Sequence, residues 1–405
     1  MPRSLRFTDP PSTPEQLAAT PPDREAEPTD GLAFETTVDV PADSADVEQS
    51  SVVVRGFDAG AATEQPATQV RISYRPSRIG ARAIPPSVPA ERVDPPDAEI
   101  VAREEQRLER ELDGKAATPE QLADLESAIA RATAELPRIS TDAGVPKHLA
   151  VRSVPEPMPE EVRATRFPTA PANPSLDAPR PTTVFLPENR QVLWDTAYPW
   201  GCNGRVTTGN GAGSGVMVGP RHLLTVSHVM VWNNDGSVGW LEFVPAFFDR
   251  EPGPFGKAHA IRTYYHRKVT GGLDEDERRH DYVVVVLNWR IGDRTGWLGS
   301  KSYTDSWDGQ TWWSHVGYPA DFGGLRPTWQ SSISLDGHNS QADSNQEMHH
   351  WGDVAVGQSG GPFFAWWDGV PHTVAVQSSH DSGRNYASGG SYIPNLINRA
   401  RTEFP

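Results

Sequence analysis

Apolar residues are spread unevenly along this chain, and their spacing changes character near residue 184. From there on they fall in short, β-branched runs: Val216-Met217-Val218, Leu223-Leu224-Thr225-Val226, Tyr282-Val283-Val284-Val285-Val286-Leu287 and Thr373-Val374-Ala375-Val376. Gly, Pro, Asn and Asp separate the runs, as expected of strands divided by turns. Helical spacing returns only from about Asn395 to Thr402. The pattern predicts an all-β sandwich or barrel closed by a terminal helix.

Before residue 184 the pattern is different. Apolar residues recur at helical spacing from about Asp97 to Leu112 (Ile100, Val101, Leu108, Leu112) and from Thr118 to Leu136 (Leu122, Leu125, Ile129). Thr118-Pro119-Glu120-Gln121 supplies a capping hydroxyl, a proline at the first helical position and a glutamine three residues on, a capping-box start. A helical hairpin over about 97–136 is therefore predicted. Val52-Val53-Val54 and Val70-Arg71-Ile72-Ser73-Tyr74 suit short strands.

Composition adds a division of labour. The first 183 residues hold 26 of the 38 prolines, and all 13 tryptophans lie from Trp194 onward. Large rings supply much of a core's burial, so the core belongs to residues 184–405. Region 1–183 is rich in Pro, Ala, Asp and Glu, a composition that struggles to offset chain entropy, and is expected to be largely disordered outside the hairpin. It reads as a propeptide-like or regulatory arm, with removal near Thr183-Val184 as the expected processing step.

The formal net charge of −16 argues against a nucleic-acid backbone as partner, because counterion release needs clustered Lys and Arg. One cysteine, Cys202, cannot form an internal disulfide, so burial and hydrogen bonding must hold the fold, as a reducing compartment would also allow. No apolar run follows the opening Met1 to Pro11, so no secretory signal peptide is expected. No stretch has the apolar length needed to cross a bilayer, and no membrane partner is expected.

Candidate chemistry appears in chain order. Gly209-Asn210-Gly211-Ala212-Gly213-Ser214-Gly215 lacks the spacing and the following helix of a dinucleotide fingerprint, and reads as a turn entering a strand. Leu223 to His228 is an apolar strand ending in a histidine, a side chain whose pKa near neutrality suits a general base. Asp281 opens the run Tyr282 to Leu287, where a carboxylate can accept an imidazole Nδ1–H and fix its tautomer. Asp274 and Asp276 lie in a charged run that reads as a solvated loop. Gly357-Gln358-Ser359-Gly360-Gly361-Pro362 sets one serine among glycines, with the N–H groups of Gly357 and Ser359 available as an oxyanion hole. No H-E-x-x-H or paired C-x-x-C occurs, so no metal or other cofactor is expected, and His349-His350 reads as an exposed pair.

The order His228, Asp281, Ser359 is one of those in which triads recur. With Gly213 to Gly219, Leu224 to Val229, His280 to Val284, Gly317-Tyr318-Pro319 and Gly357 to Pro362, the chain from about Val184 to Pro405 resembles the trypsin/chymotrypsin-like serine peptidases. Within them it is similar to the disulfide-poor glutamyl endopeptidase-like branch, whose mature start Val184 to Arg190 also resembles. The resemblance implies two six-stranded antiparallel β-barrels with a C-terminal helix, His228 as base, Asp281 orienting it, Ser359 as nucleophile, and a monomeric, secreted peptidase domain acting on peptides or proteins. Ser227 stands where the family usually has alanine, and Gln358 where it usually has aspartate; the second change points away from activation by a new N-terminal amine.

The primary pocket that the resemblance implies comprises Asp353, Val354, Gln377, Ser378, Ser379 and His380. Gln377 replaces the histidine of glutamate-specific relatives and brings only neutral donors. Asp353 occupies the position that selects Lys or Arg in trypsin. Two rivals remain. The nucleophile elbow of an α/β-hydrolase shares G-x-S-x-G, but the chain after Ser359 is too short for the units that fold requires. A peptidase-like binding module, its triad unused and its N-terminal helices recruiting a partner, is the other.

Overall fold

The computed structural model describes residues 9–27, 34–40, 51–55, 69–76, 86–133, 136, 139–160, 182–185, 187–249, 253–271, 274–337, 345–381 and 383–405. The β-branched runs form strands that pair in two large sheets. The first contains β1 (Asn203–Thr208), β2 (Gly211–Gly219), β3 (His222–Thr225), β4 (Leu241–Pro245), β5 (Ala258–Tyr265) and β6 (Val283–Leu287). Their order is β4-β1-β2-β3-β6-β5, and a β4–β5 ladder closes the ring. All five residues of β6 are buried, which explains its unbroken apolar run: a strand packed on both faces has no polar side to alternate.

The second sheet contains β7 (Trp313–Gly317), β8 (Thr328–Ile333), β9 (Leu335–Gly337), β10 (Asn345–His350), β11 (Pro362–Trp367), β12 (Val370–His380) and β13 (Asn385–Gly390). They run β9-β10-β13-β12-β11-β7-β8, with Gln191–Val192 added on β8. The expected second barrel is thus a half-barrel path; among the described residues no ladder joins its ends. The terminal helix, Tyr392–Glu403, starts and ends slightly outside the predicted span. It buries Ile393, Leu396, Ile397 and Ala400 along one stripe, the period of an amphipathic helix docked on the first barrel.

One core cluster spans both sheets, from Val206, Leu223 and Phe243 in the first to Phe364 and Val376 in the second. A second, ring-rich cluster gathers Tyr303, Trp307, Trp313 and Trp367. The placement of tryptophan in the later part of the sequence therefore marks the core as expected.

Region 1–183 is more involved than its composition suggested. The hairpin forms as Ala98–Leu112 and Pro119–Thr133, and the capping box closes through Gln121 N–H to Thr118 Oγ1 at 3.3 Å and Thr118 N–H to Gln121 Oε1 at 3.0 Å. Ser51–Arg55 and Gln69–Pro76 are strands, joined by Phe34–Val40 in a small sheet. Beyond these, Ala90–Arg92 adds in parallel to β5, Ser140–Thr141 pairs with Gly299–Lys301, and Thr182–Thr183 pairs with Val354–Ala355. Val88 and Val151 lie in the main core. Backbone ladders make these contacts, and a ladder needs no apolar sequence pattern. Most of the remainder of 1–183, including 161–181, lies outside the described residues.

Candidate active site

His228 follows β3 after Val226 and Ser227, so the barrel wall fixes its backbone. Ser227, the departure from the usual alanine, is buried and ties this turn to the next loop: its hydroxyl accepts the Val269 N–H at 2.9 Å and donates to the Val269 carbonyl at 3.2 Å. Asp281 precedes β6, whose register sets Val283 opposite Thr225, so the adjacent ladder brings carboxylate and imidazole together. The Asp281 side chain is fully buried, and Oδ1 accepts the His228 N–H at 3.0 Å. Oδ2 lies 2.6 Å from His228 Nδ1 and accepts the Ser378 hydroxyl at 2.7 Å. Burial disfavours the imidazolium, yet the charge and hydrogen bond of Asp281 outweigh it and hold the His228 pKa above the usual imidazole value.

The run Asp274 to Arg279 is not a plain solvated loop. Glu275–Arg278 forms one helical turn under a capping box from Asp274, and Asp276 pairs with Arg279 at 2.6 Å. The turn delivers Asp281 to the start of β6.

Ser359 stands on a turn shaped by its neighbours. Gly360 has φ +88°, and a Cβ there would lie 2.2 Å from the Ser214 carbonyl oxygen and 2.3 Å from Thr225 Oγ1. Gly357 has φ +96°, with a built Cβ 2.5 Å from the Tyr318 carbonyl. Both positions need glycine for conformation and for space. The Val356 carbonyl accepts the Ala320 N–H at 2.7 Å. Since a trans peptide sets C=O and N–H on opposite sides, this bond turns the Gly357 N–H the other way. Among the described residues neither the Gly357 nor the Ser359 N–H has a hydrogen-bond acceptor. The Ser359 hydroxyl donates to the Ser378 carbonyl at 3.4 Å, and no hydrogen bond joins it to His228. Ser378 therefore touches both the Asp281 carboxylate and the serine.

In the sequence Ser214 stands in a glycine-rich turn entering a strand. It is 1% exposed, and it holds the Ser359 loop at two points: its N–H donates to the Ser359 carbonyl and its hydroxyl to the Gly357 carbonyl, both at 2.8 Å. The same hydroxyl accepts the Tyr318 N–H at 2.8 Å. A sequence signal existed, a lone hydroxyl between glycines, but its partners lie far along the chain.

The pocket candidates separate. Both Asp353 oxygens are engaged by backbone N–H groups, Phe185 at 2.7 Å and Asn189 at 2.8 Å, and the residue is 1% exposed. Val354 is buried in the short ladder with Thr183. The Gln377 carboxamide donates to the Ser379 carbonyl at 2.9 Å, and its oxygen faces His350 Nε2 at 2.8 Å. His350 is wholly buried rather than part of an exposed pair, and Nδ1 accepts the Gly352 N–H at 3.2 Å, which fixes Nε2 as the donor. Burial pushes its pKa down to about 3, so it is neutral. Burial likewise lowers the pKa of His380, against the pull of Asp381. Among the described residues no cluster of His, Cys, Asp and Glu could hold a metal ion, and no helix is long and apolar enough to cross a membrane.

A glutamyl endopeptidase of Bacillus licheniformis is 26% identical over 178 residues, 44% of this chain and 52% of that protein. The chain resembles the chymotrypsin-like serine peptidases. It spans about half the length of the curated relative it matches. No family model matches. Among solved structures, a Glu endopeptidase in complex with MPD is similar at 19% identity and a TM-score of 0.43, over 53% of this chain and 97% of that one. The protease Anisep from Arthrobacter nicotinovorans gives 21% identity and a TM-score of 0.42, over 53% and 99%.

Proposed function

We propose that the chain is a serine endopeptidase that hydrolyses peptide bonds through an acyl-enzyme. His228 Nε2 takes the Ser359 proton as the hydroxyl oxygen attacks the scissile carbonyl. Asp281 holds the imidazole in the Nδ1–H tautomer and stabilises the imidazolium. The N–H groups of Gly357 and Ser359 receive the oxyanion, and His228 then protonates the departing amine and activates the water that frees the acid. The observation that carries this reading is the 2.6 Å contact of His228 Nδ1 with buried Asp281, which Ser378 connects to Ser359.

Residues 184–405 are taken as the peptidase domain and 1–183 as an arm built onto it. Its substrates are peptides or proteins. The glutamate preference in the relative's name is not carried over, because Gln377 and Ser379 are neutral and His350 behind them is uncharged. Wild type and Ser359→Ala are to be incubated with a mixed peptide pool and the products sequenced. The expected result is turnover by wild type and a loss of about 10⁶-fold in the variant. Equal turnover would refute Ser359 as the nucleophile, and turnover by neither protein would leave a binding module. Intact mass of both proteins from one preparation reports whether cleavage near Thr183-Val184 occurs and depends on Ser359.

A further inference from the structure

Arg190 carries a guanidinium whose side chain is only 1% exposed, at the end of a strap fastened to the nucleophile loop. Thr182–Thr183 pairs with Val354–Ala355, and Asp353 accepts the N–H groups of Phe185 and Asn189. The guanidinium then spans three loops. Nη2 meets Glu188 Oε2 at 2.7 Å and Asp321 Oδ2 at 2.6 Å, while Nη1 donates to Gln358 Oε1 at 3.1 Å. That oxygen also accepts the Ala355 N–H at 2.8 Å, so Arg190 and Ala355 together fix its direction. Gln358 lies between Gly357 and Ser359, and its carbonyl shares a peptide plane with the Ser359 N–H, whereas the Gly357 N–H shares one with the Val356 carbonyl that Ala320 holds. Holding the Gln358 side chain at two points restrains the plane that carries the Ser359 N–H.

Resting on the peptidase reading above, we propose that Arg190 is a positioning residue for catalysis: through Gln358 it holds the Ser359 N–H, and through Asp321, the neighbour of Ala320, the Gly357 N–H, in the geometry that receives the oxyanion. The strap supplies from within the chain a cation to the residue preceding the nucleophile, where Gln358 stands in place of the family's usual aspartate. A planar fork serves here better than a point charge, since one group must meet Glu188, Asp321 and Gln358 together. Asp321 completes the arrangement from the loop whose Ala320 N–H holds the Val356 carbonyl.

Steady-state kinetics on the peptide that wild type cleaves best, with melting followed by circular dichroism, test this in Arg190→Ala, Arg190→Lys and Gln358→Leu. Arg190→Ala is expected to lose about 10²-fold or more in kcat, the scale of one oxyanion donor, with KM changed less than about threefold. Millimolar guanidinium ion is expected to restore part of that kcat, and Arg190→Lys to stay well below wild type. Gln358→Leu cuts the link while leaving Arg190 its two carboxylates, and is expected to reproduce the kcat loss if Arg190→Ala does not fold. Folded Arg190→Ala or Gln358→Leu with wild-type kcat would overturn the proposal while leaving the peptidase reading intact. A loss confined to KM, or one that guanidinium leaves untouched in folded Arg190→Ala, would also overturn it. A folded wild type without turnover of any peptide in the pool removes the peptidase reading and this proposal with it.

Discussion

The half of the site that holds His228 and Asp281 and the half that holds Ser359 are built on different principles. The first rests on adjacent strands of a closed barrel, where the β3–β6 register sets the imidazole against the carboxylate. The second rests on a turn whose glycines leave the backbone unusual freedom, removed by distant contacts from Ser214, Ala320 and Arg190. A base and its orienting acid can be positioned by sheet pairing alone. An oxyanion site made of backbone N–H groups has no side chain to aim, so its geometry must be imposed from outside the turn.

Among substitutions that leave the Ser359 hydroxyl in place, one in the barrel half is expected to have the largest effect. Asp281→Asn removes the charge that holds the imidazole, and kcat should fall about 10⁴-fold while the melting temperature changes little; single-turnover kinetics on the folded variant checks this. Phe364→Ala separates the two kinds of support. The ring is fully buried against Trp200, so the variant should lose about 3–5 kcal/mol of stability by denaturant unfolding, yet keep the kcat of whatever remains folded. A smaller effect is expected at Ser214→Ala, which deprives the Gly357 carbonyl and the Tyr318 N–H of their partner. The expected cost is about 1–3 kcal/mol in stability, accompanied by a fall in kcat.

The mildest perturbation is pH. The proposed mechanism needs neutral His228, whose pKa is raised, so the acid limb of kcat/KM should lie above the ordinary imidazole value of about 6.5. In Asp281→Asn only burial remains to act on the ring, and the limb should move to lower pH. Stability follows the opposite sign: the imidazolium's contribution is full below the unfolded-state pKa and fades as pH rises through the folded value. Activity is thus gained as that contribution is lost.

Much of the barrel half was legible in the sequence. Apolar runs such as Leu223 to Val226 and Tyr282 to Leu287 identify strands because burial on both faces demands them, and a histidine and an aspartate at their ends follow as candidates. The serine turn was legible as a motif but not as a mechanism. Ser214, Ala320 and Arg190 lie 145, 39 and 169 positions from Ser359 in the chain, and no local periodicity links them to it. Asp353 illustrates the same limit: its position suggests a pocket floor, whereas both of its oxygens are engaged with the strap. The arm was underestimated for a related reason. Ala90–Arg92 and Ser140–Thr141 join the fold by main-chain hydrogen bonds, to which composition is blind. Tryptophan is the better guide because its burial is a side-chain property: Trp200, Trp307, Trp313, Trp366 and Trp367 are all buried in the core.

The most direct measurement is the reaction of the intact, folded protein with a fluorophosphonate that labels only activated serines, followed by peptide mapping. One adduct is expected, on Ser359, formed far more slowly in His228→Ala. No adduct on folded wild type, or an adduct on another residue, would contradict the proposed mechanism.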